Sequence, residues 1–255
     1  MIKKFPPKWN DLDDILKIRY LMYGELPIYD YYFDGTYSEF KFIKKEDFES
    51  CIKHLNNIIE PYENFIGSHP LEGYGDTTVL LLRALDKYPI KNKTTVNIGN
   101  SGGCWFESII LSRGGICSTI EYNKLETDYP NANFITVEEF KNNPNPTTFD
   151  CALSFSSFEH DGLGRYGDPL NPDGDLEAMK NMKSIIKPGG LLYLVIPIGM
   201  DSIAWNAHRI YGRKRLPCLF YGWELIDSFG FYDDWLDIDF KGQPHTQPVF
   251  ILKNI

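Results

Sequence analysis

The sequence is short of positive charge. Its 255 residues hold 26 Lys and Arg against 35 Asp and Glu, for a formal net charge of −9. Non-specific nucleic-acid binding needs a basic face, so no nucleic-acid partner is expected. Long apolar runs are missing as well. No window reaches the roughly 18 apolar residues of a membrane span. The opening MIKKFPPKWNDLDD lacks the apolar stretch of a signal peptide. A soluble, cytoplasmic protein without membrane contact is the expectation. Cysteine is sparse: Cys51, Cys104, Cys117, Cys151 and Cys218 are far apart, with no CxxC and no Cys/His pair at zinc-ligand spacing. They read as buried free thiols without a metal or redox role. Repeats and low-complexity tracts are also lacking. What the chain has in quantity is aromatic, with 16 Tyr and 17 Phe. A Tyr-rich core and interface is one use of them, and a surface that stacks on a ring-bearing ligand is the other.

Residues 1–75 are polar, aromatic and helix-prone. IKKEDFESCIKHLNNIIEPYENFI carries Phe48, Ile52, Leu55, Ile58 and Ile59 at helical spacing, and TTVLLLRALDKY predicts a helix leading into the main domain. This first segment is expected to cap the substrate or to form a homodimer surface. From Thr94 the pattern alternates. KTTVNIG, ICSTIEY, NANFITV, FDCALSFSS and LLYLVIPI predict strands; CWFESIILSRG and DLEAMKNMKSII predict helices. WELIDSFGF reads as a helix, a glycine break and the start of a sixth strand, and HTQPVFILKNI as the last strand. The alternation implies an α/β fold with a doubly wound, largely parallel sheet over residues 76–255.

The first strand of that sheet runs into Asn97-Ile98-Gly99-Asn100-Ser101-Gly102-Gly103, and the second ends in Glu121. A glycine-rich turn lets backbone approach a ligand where a strand feeds a helix, and an acid about 20 residues on is placed for ribose hydroxyls. The turn is not GxGxxG, which disfavours a dinucleotide. Gly99, Ser101 and Gly103 instead resemble the D/E-x-GxGxG turn of class I S-adenosylmethionine-dependent methyltransferases, with Asn97 in place of the acid and Ser101 in place of the middle glycine. FDCALSFSSFEH resembles that superfamily's fourth strand and its Glu-His, and IIKPGGLLYLVIP its Lys-Pro-Gly-Gly turn and fifth strand. EYNKL, SFSSFEHDGLGRYGDPLNPDGDLEAM, NAHRIYG and RLPCLF further resemble a methyltransferase-like family of nematodes and bacteria known as domain-of-unknown-function family 268. Its bacterial members often lie among surface-polysaccharide genes.

The resemblance implies a Rossmann-like seven-stranded methyltransferase sheet and S-adenosylmethionine as cofactor. The residues expected to hold it are Asn97, Gly99, Asn100, Ser101 and Gly103, then Glu121, Tyr122 and Glu138, and finally Ser154 and Ser156. It also implies O-methyl transfer to a sugar hydroxyl, on a nucleotide-activated sugar or a capsule-polysaccharide precursor.

The segment SFSSFEHDGLGRYGDPLNPDGD follows the fourth strand, where open α/β sheets bind their ligands. Glycines and prolines constrain it, and it is dense in ionisable groups. Transfer to a hydroxyl needs alignment and a proton acceptor. His is suited to that near pH 7, so His160, with Asp161 or Glu159 fixing its tautomer, is the expected base and His208 the second candidate. Arg165, Tyr166, Asp168, Asn206 and Arg209 are expected on the substrate, with Arg165 and Arg209 as phosphate clamps. Asp161, Asp168, Asp173, Asp175 and Asp201 offer oxygen ligands to Mg²⁺, though Asp173 and Asp175 read equally as caps, and no metal site is assigned. A methyltransferase fold that binds a glycan or nucleotide without turning it over is the competing reading, supported by Asn97 and Ser101. A nicotinamide-dependent sugar oxidoreductase would want GxGxxG and a Tyr-x-x-x-Lys pair, which the chain does not offer in a plausible place.

Overall fold

A computed structural model of the chain describes residues 5–35, 41–59, 61–62, 74–100, 103–143, 148–243 and 247–255. Its strands are β1 (Ile28–Tyr31), β2 (Lys41–Ile43), β3 (Thr94–Ile98), β4 (Ile116–Glu121), β5 (Leu125–Thr127), β6 (Ala132–Thr136), β7 (Phe149–Phe155), β8 (Ile186–Val195), β9 (Ser202–Asn206), β10 (His208–Ile210), β11 (Trp223–Phe229) and β12 (Val249–Asn254). Its helices are α1 (Asp14–Tyr20), α2 (Lys45–Asn56), α3 (Asp76–Lys87), α4 (Trp105–Ser112), α5 (Val137–Asn142), α6 (Gly174–Ile185) and α7 (Arg215–Leu219).

Seven strands form one sheet in the order β11-β12-β8-β7-β3-β4-β6. From β8 to β6 all neighbours are parallel, while β12 runs antiparallel to both β8 and β11. The period-2 pattern of the central strands makes two cores. Leu153, Tyr193 and Ile251 face α3 and α4 on one side, and Ala152, Leu192, Leu194, Phe250 and Leu252 face α6 and α7 on the other. The expected mostly parallel sheet, covered by helices on both faces, is therefore observed. The order reverses at β3, whose neighbours are β4 and β7, and this places a crevice beyond their carboxyl ends.

Two parts of the sequence reading are corrected. WELIDSFGF is not a helix: Trp223–Phe229 is an edge strand paired along its length with β12, and Asp233–Asp237 is a 3₁₀ turn where the strand was expected. Gly222 and Gly230, at φ of 80° and 71°, punctuate both of its ends, and pairing with β12 outweighs helical propensity in so short a segment. Of the cysteines, Cys218 is exposed and Cys51 half-buried, while Cys104, Cys117 and Cys151 are buried as expected. No helix among the described residues is long and apolar enough to cross a membrane.

Residues 5–35 reach the crevice through a small sheet. β1 lies parallel to β9, and β10 antiparallel to it. Leu12, Tyr20, Leu163, Ile203 and Trp205 form a separate apolar cluster between α1, this sheet and the loop after β7. The Tyr20 hydroxyl donates to the Gly162 carbonyl, and the Trp205 indole N–H donates to the Pro7 carbonyl at 3.1 Å. α2 instead supplies Leu55 to the core beside α4.

The loop after β7, residues 156–173, is held from beneath by a buried ionic cluster. Arg215 donates from Nη2 to Asp175 Oδ1 at 2.5 Å and from Nε to Oδ2 at 2.8 Å, and the Tyr211 hydroxyl donates to Oδ2 at 3.0 Å. The Arg209 guanidinium donates to the carbonyls of Asp161 at 2.6 Å, Asn171 at 3.3 Å and Pro172 at 3.3 Å. Burial alone would push the Asp175 carboxyl up, but Arg209 and Arg215 hold it below the usual aspartate range. Such a cluster is costly to break by halves, because removing one partner strands the other charge. Asp175→Asn is expected to cost about 3–5 kcal/mol in urea unfolding at pH 7. Because the folded-state pKa is depressed, the stabilisation persists above the ordinary aspartate range and is lost as pH falls below it. A variant within about 0.5 kcal/mol of wild type would contradict this role.

Candidate active site

A cavity of about 1160 Å³ lies beyond the carboxyl ends of β3, β4 and β7. One end is apolar, walled by Ile98, Ile120, Val137 and Phe140, with Gly99, Asn100, Glu121 and Tyr122 at its rim. Gly99 adopts φ +81°, and a side chain there would meet Ser157 Oγ at 2.9 Å, so the turn closes tightly only because the residue is glycine. The Asn100 amide N–H donates to Glu121 Oε2 at 2.7 Å, joining the turn after β3 to the end of β4. Glu121 Oε1 accepts from the N–H groups of Tyr122 at 2.8 Å and Asn123 at 3.3 Å. Three of about four acceptor positions on the carboxylate are thus used, and one is left for a ligand hydroxyl. Burial raises this carboxyl, against the pull of the three backbone N–H donors.

Asn97 lies under the turn rather than on the cavity. Its amide donates to the Gly99 carbonyl at 2.7 Å and to Glu107 Oε1 at 3.2 Å. The same Glu107 oxygen accepts from Asn100 Nδ2 and from Thr119 Oγ1, each at 2.8 Å. Glu107 is fully buried on α4. It supplies from the helix the acid that the turn lacks, which explains the amide at position 97: a second carboxylate there would face the first. A lone acid in the otherwise apolar CWFESIILS was the sequence signal for it.

The opposite end of the cavity is polar. Ser156 follows β7 with φ +50°. Its hydroxyl donates to Glu159 Oε1 at 2.5 Å and accepts from Gln247 Nε2 at 3.1 Å. Burial pushes the Glu159 carboxyl up to about 7. His160 Nδ1–H donates to the Ala207 carbonyl at 2.5 Å, and Nε2 stands 3.8 Å from Glu159 Oε1. Burial and the Arg165 cation push the imidazole down to about 3, so it is neutral at pH 7. His208 Nε2–H donates to the Gly242 carbonyl at 2.9 Å, and burial lowers its pKa too. Arg165 is layered between Phe33 and Tyr166, its guanidinium carbon 4.5 Å and 5.0 Å from the two ring centres. Asp168 accepts from the N–H groups of Gly162 at 2.8 Å, Gly164 at 3.1 Å and Tyr166 at 3.2 Å.

The cavity thus brings together Gly99, Asn100, Glu121, Tyr122, Ser156, His160, Asp161, Arg165, Tyr166, Asp168 and His208 from the expected set. Asn97, Gly103, Glu138, Ser154, Asn206 and Arg209 do not line it. Glu138 is exposed on the first turn of α5, Ser154 is buried in β7, and Asn206 Oδ1 accepts the Phe33 N–H at 2.7 Å. Ser101 lies outside the described residues. Of the expected oxygen ligands, Asp201 accepts the N–H groups of Gly212, Lys214 and Arg215, and Asp173 pairs with Arg19 at 3.0 Å. Glu159 lines the cavity beside His160, where it was expected to fix the imidazole's tautomer; Tyr31, Phe33, Tyr74 and Gln247 line it without having been expected, since their approach depends on long-range pairing.

Asn97→Asp, which restores the usual acid, is expected to lower the stability of the chain by about 1–3 kcal/mol, by removing a donor to buried Glu107 and adding a like charge. Thermal melting checks it, and a melting temperature at or above wild type would contradict the arrangement.

Among solved structures, the chain is similar in fold to the Burkholderia thailandensis 1,6-didemethyltoxoflavin-N1-methyltransferase, solved with 1,6-didemethyltoxoflavin and S-adenosylhomocysteine bound. The TM-score is 0.52 at 12% identity, over 82% of this chain and 89% of that one. A TehB-like SAM-dependent methyltransferase from Corynebacterium glutamicum gives a TM-score of 0.45 at 16% identity, over 80% and 99% of the two chains. No curated protein matches the chain. The sheet order with its antiparallel β12 is thus the Rossmann-like methyltransferase fold. The family model described as "Caenorhabditis protein of unknown function, DUF268" matches residues 92–247, and the chain belongs to that family.

Proposed function

We propose that the chain is an S-adenosylmethionine-dependent methyltransferase that methylates a sugar hydroxyl, on a nucleotide-activated sugar or a surface-polysaccharide precursor. The observation that carries this reading is the joined turn: Gly99 and Asn100 locked to Glu121 at the mouth of an apolar slot, in one cavity with the ionisable loop after β7. The residues present suit the cofactor. Ile98, Ile120, Val137 and Phe140 offer an apolar slot for a purine, and the free acceptor position of Glu121 suits a ribose hydroxyl. When bound, S-adenosylmethionine supplies an electrophilic methyl group. The chain's own residues bind the acceptor, exclude water and take up a proton.

The acceptor side is assigned to residues 156–168 and to the segment from Tyr31 to Gly35, which acts as a cap over it. Arg165 lines the cavity and can meet a phosphate with the nitrogens not used on the Ala207 carbonyl at 3.1 Å, whereas Arg209 is buried and committed to loop carbonyls. The sequence expectation gave the acceptor's proton to His160 or His208. Each imidazole gives its N–H to a backbone carbonyl, which leaves the other nitrogen as an acceptor, but burial holds both below the ordinary histidine range and so makes that nitrogen a weak base. We therefore assign them to shaping the acceptor side rather than to taking the proton.

The reading is tested by transfer of a labelled methyl group from S-adenosylmethionine to nucleotide sugars and to neutral oligosaccharides. Label on a sugar oxygen supports it; binding of the cofactor with no transfer to any sugar would overturn the sugar assignment. Glu121→Ala is expected to raise the Michaelis constant for S-adenosylmethionine about 10- to 100-fold, the worth of a hydrogen bond to a charged group. An unchanged constant would remove Glu121 from the cofactor site.

A further inference from the structure

The loop after β7 presents two aspartates to the cavity, Asp161 and Asp168, in unlike surroundings. Asp168 accepts three backbone N–H groups, which hold its carboxyl in place. Asp161 is the reverse. Its backbone is pinned: its N–H donates to the Phe158 carbonyl at 3.1 Å, and its carbonyl accepts from Arg209 Nη1 at 2.6 Å. Gly174 packs so close that a side chain there would lie 2.7 Å from the Asp161 carbonyl oxygen. Its own carboxyl, half-buried on the cavity wall, has no hydrogen-bond partner among the described residues. A rigid backbone thus holds, on the cavity wall, a carboxyl that the fold does not use and that is open to a ligand there.

The groups acting on it are Asp168 and Glu159 from its own loop, Arg209 from β10 and Asp175 from α6; beyond β4, Tyr122 stands near enough to feel its charge. Burial raises the Asp161 carboxyl well above the usual range, and the Asp168 charge raises it further, against the pull of Arg209. A carboxyl raised by burial and by a neighbouring carboxyl, on a cavity wall, is suited to carrying a proton.

We propose that Asp161 is the group that takes the acceptor's proton. The proposal rests on the methyl-transfer reading above. The acceptor oxygen forms its bond to the methyl carbon as the carbon–sulfur bond breaks, with its electron pair passing to sulfur. The acceptor's proton passes to the Asp161 carboxylate and from there to water after release of the methyl ether. A carboxyl raised toward the working pH is a better acceptor than an ordinary aspartate, and the step is worth about 10²–10⁴-fold.

Asp161→Asn, Asp161→Glu and wild type are compared in three measurements: turnover against pH, affinity for S-adenosylhomocysteine, and melting temperature between pH 5 and pH 8. Asp161→Asn is expected to lose at least about a hundredfold in kcat while S-adenosylhomocysteine affinity stays within about twofold, a margin too small to mark a lost contact. Asp161→Glu is expected to recover part of the rate, and the acid limb of the wild-type profile to lie above the ordinary aspartate range. Because the folded-state pKa is raised, wild-type stability falls as pH climbs toward it, so Asp161→Asn is expected to melt higher than wild type at pH 8 and to lose that slope. Wild-type turnover in Asp161→Asn, or a melting temperature below wild type at pH 8, overturns the proposal. A wild type that binds S-adenosylhomocysteine yet transfers no methyl group overturns the methyl-transfer reading and this proposal with it.

Discussion

The candidate site depends on a buried ionic cluster. Asp175 on α6 is gripped by Arg215, and Arg209 spends its guanidinium on the carbonyls of Asp161, Asn171 and Pro172. A loop of glycines and prolines has few side chains with which to fix itself, and buried carbonyls without partners are costly. Two arginines solve both difficulties, and one aspartate offsets part of their charge. The loop can then hold its remaining ionisable groups toward the cavity in a single shape, where a solvated loop would pay for that order in entropy. The run HRIYGRKR, rich in cations on an acidic protein, is therefore mostly architecture: Arg213 pairs with Asp233 and Asp237, and Lys214 with Glu25.

The other half of the site rests on an exchange of roles. The turn after β3 lacks the usual acid, and Glu107 provides one from α4, bound by the amides of Asn97 and Asn100 and by Thr119. The departures at positions 97 and 101 support the reading of a fold that binds a ligand without turning it over. The Asn97 substitution instead belongs to a compensated network, and Glu121 still meets the turn at its expected place.

Much of the sheet was legible because its strands are apolar, bounded by turns and separated by helices of ordinary length; β3, β4, β6, β7 and β12 lie where their residues predict, while β8 begins at Ile186, ahead of the predicted LLYLVIPI, and takes in the Lys-Pro-Gly-Gly residues. Edge strand β11 was not, since seven residues with Leu225 and Ile226 beside charged neighbours suit a helix as well as a strand until β12 pairs with them. β1, β9 and β10 were invisible for a related reason: they are short, and their partners are distant in sequence. The site was legible by type more than by duty. Residues 155–162, Arg165, Tyr166, Asp168 and Glu121 stand on the cavity, but spacing could not say that Ser154 and Arg209 point into the protein, that both histidines are held neutral, or that Gln247 returns from the chain's end to Ser156.

The most direct test is calorimetric titration of the intact chain with S-adenosylhomocysteine. Binding in the micromolar range, saturating at one molecule per chain, is the predicted result. An absence of heat and of competition by S-adenosylmethionine would mean that the turn at Gly99 and Asn100 holds no such ligand, and would contradict the account of the cavity as a methyltransferase site.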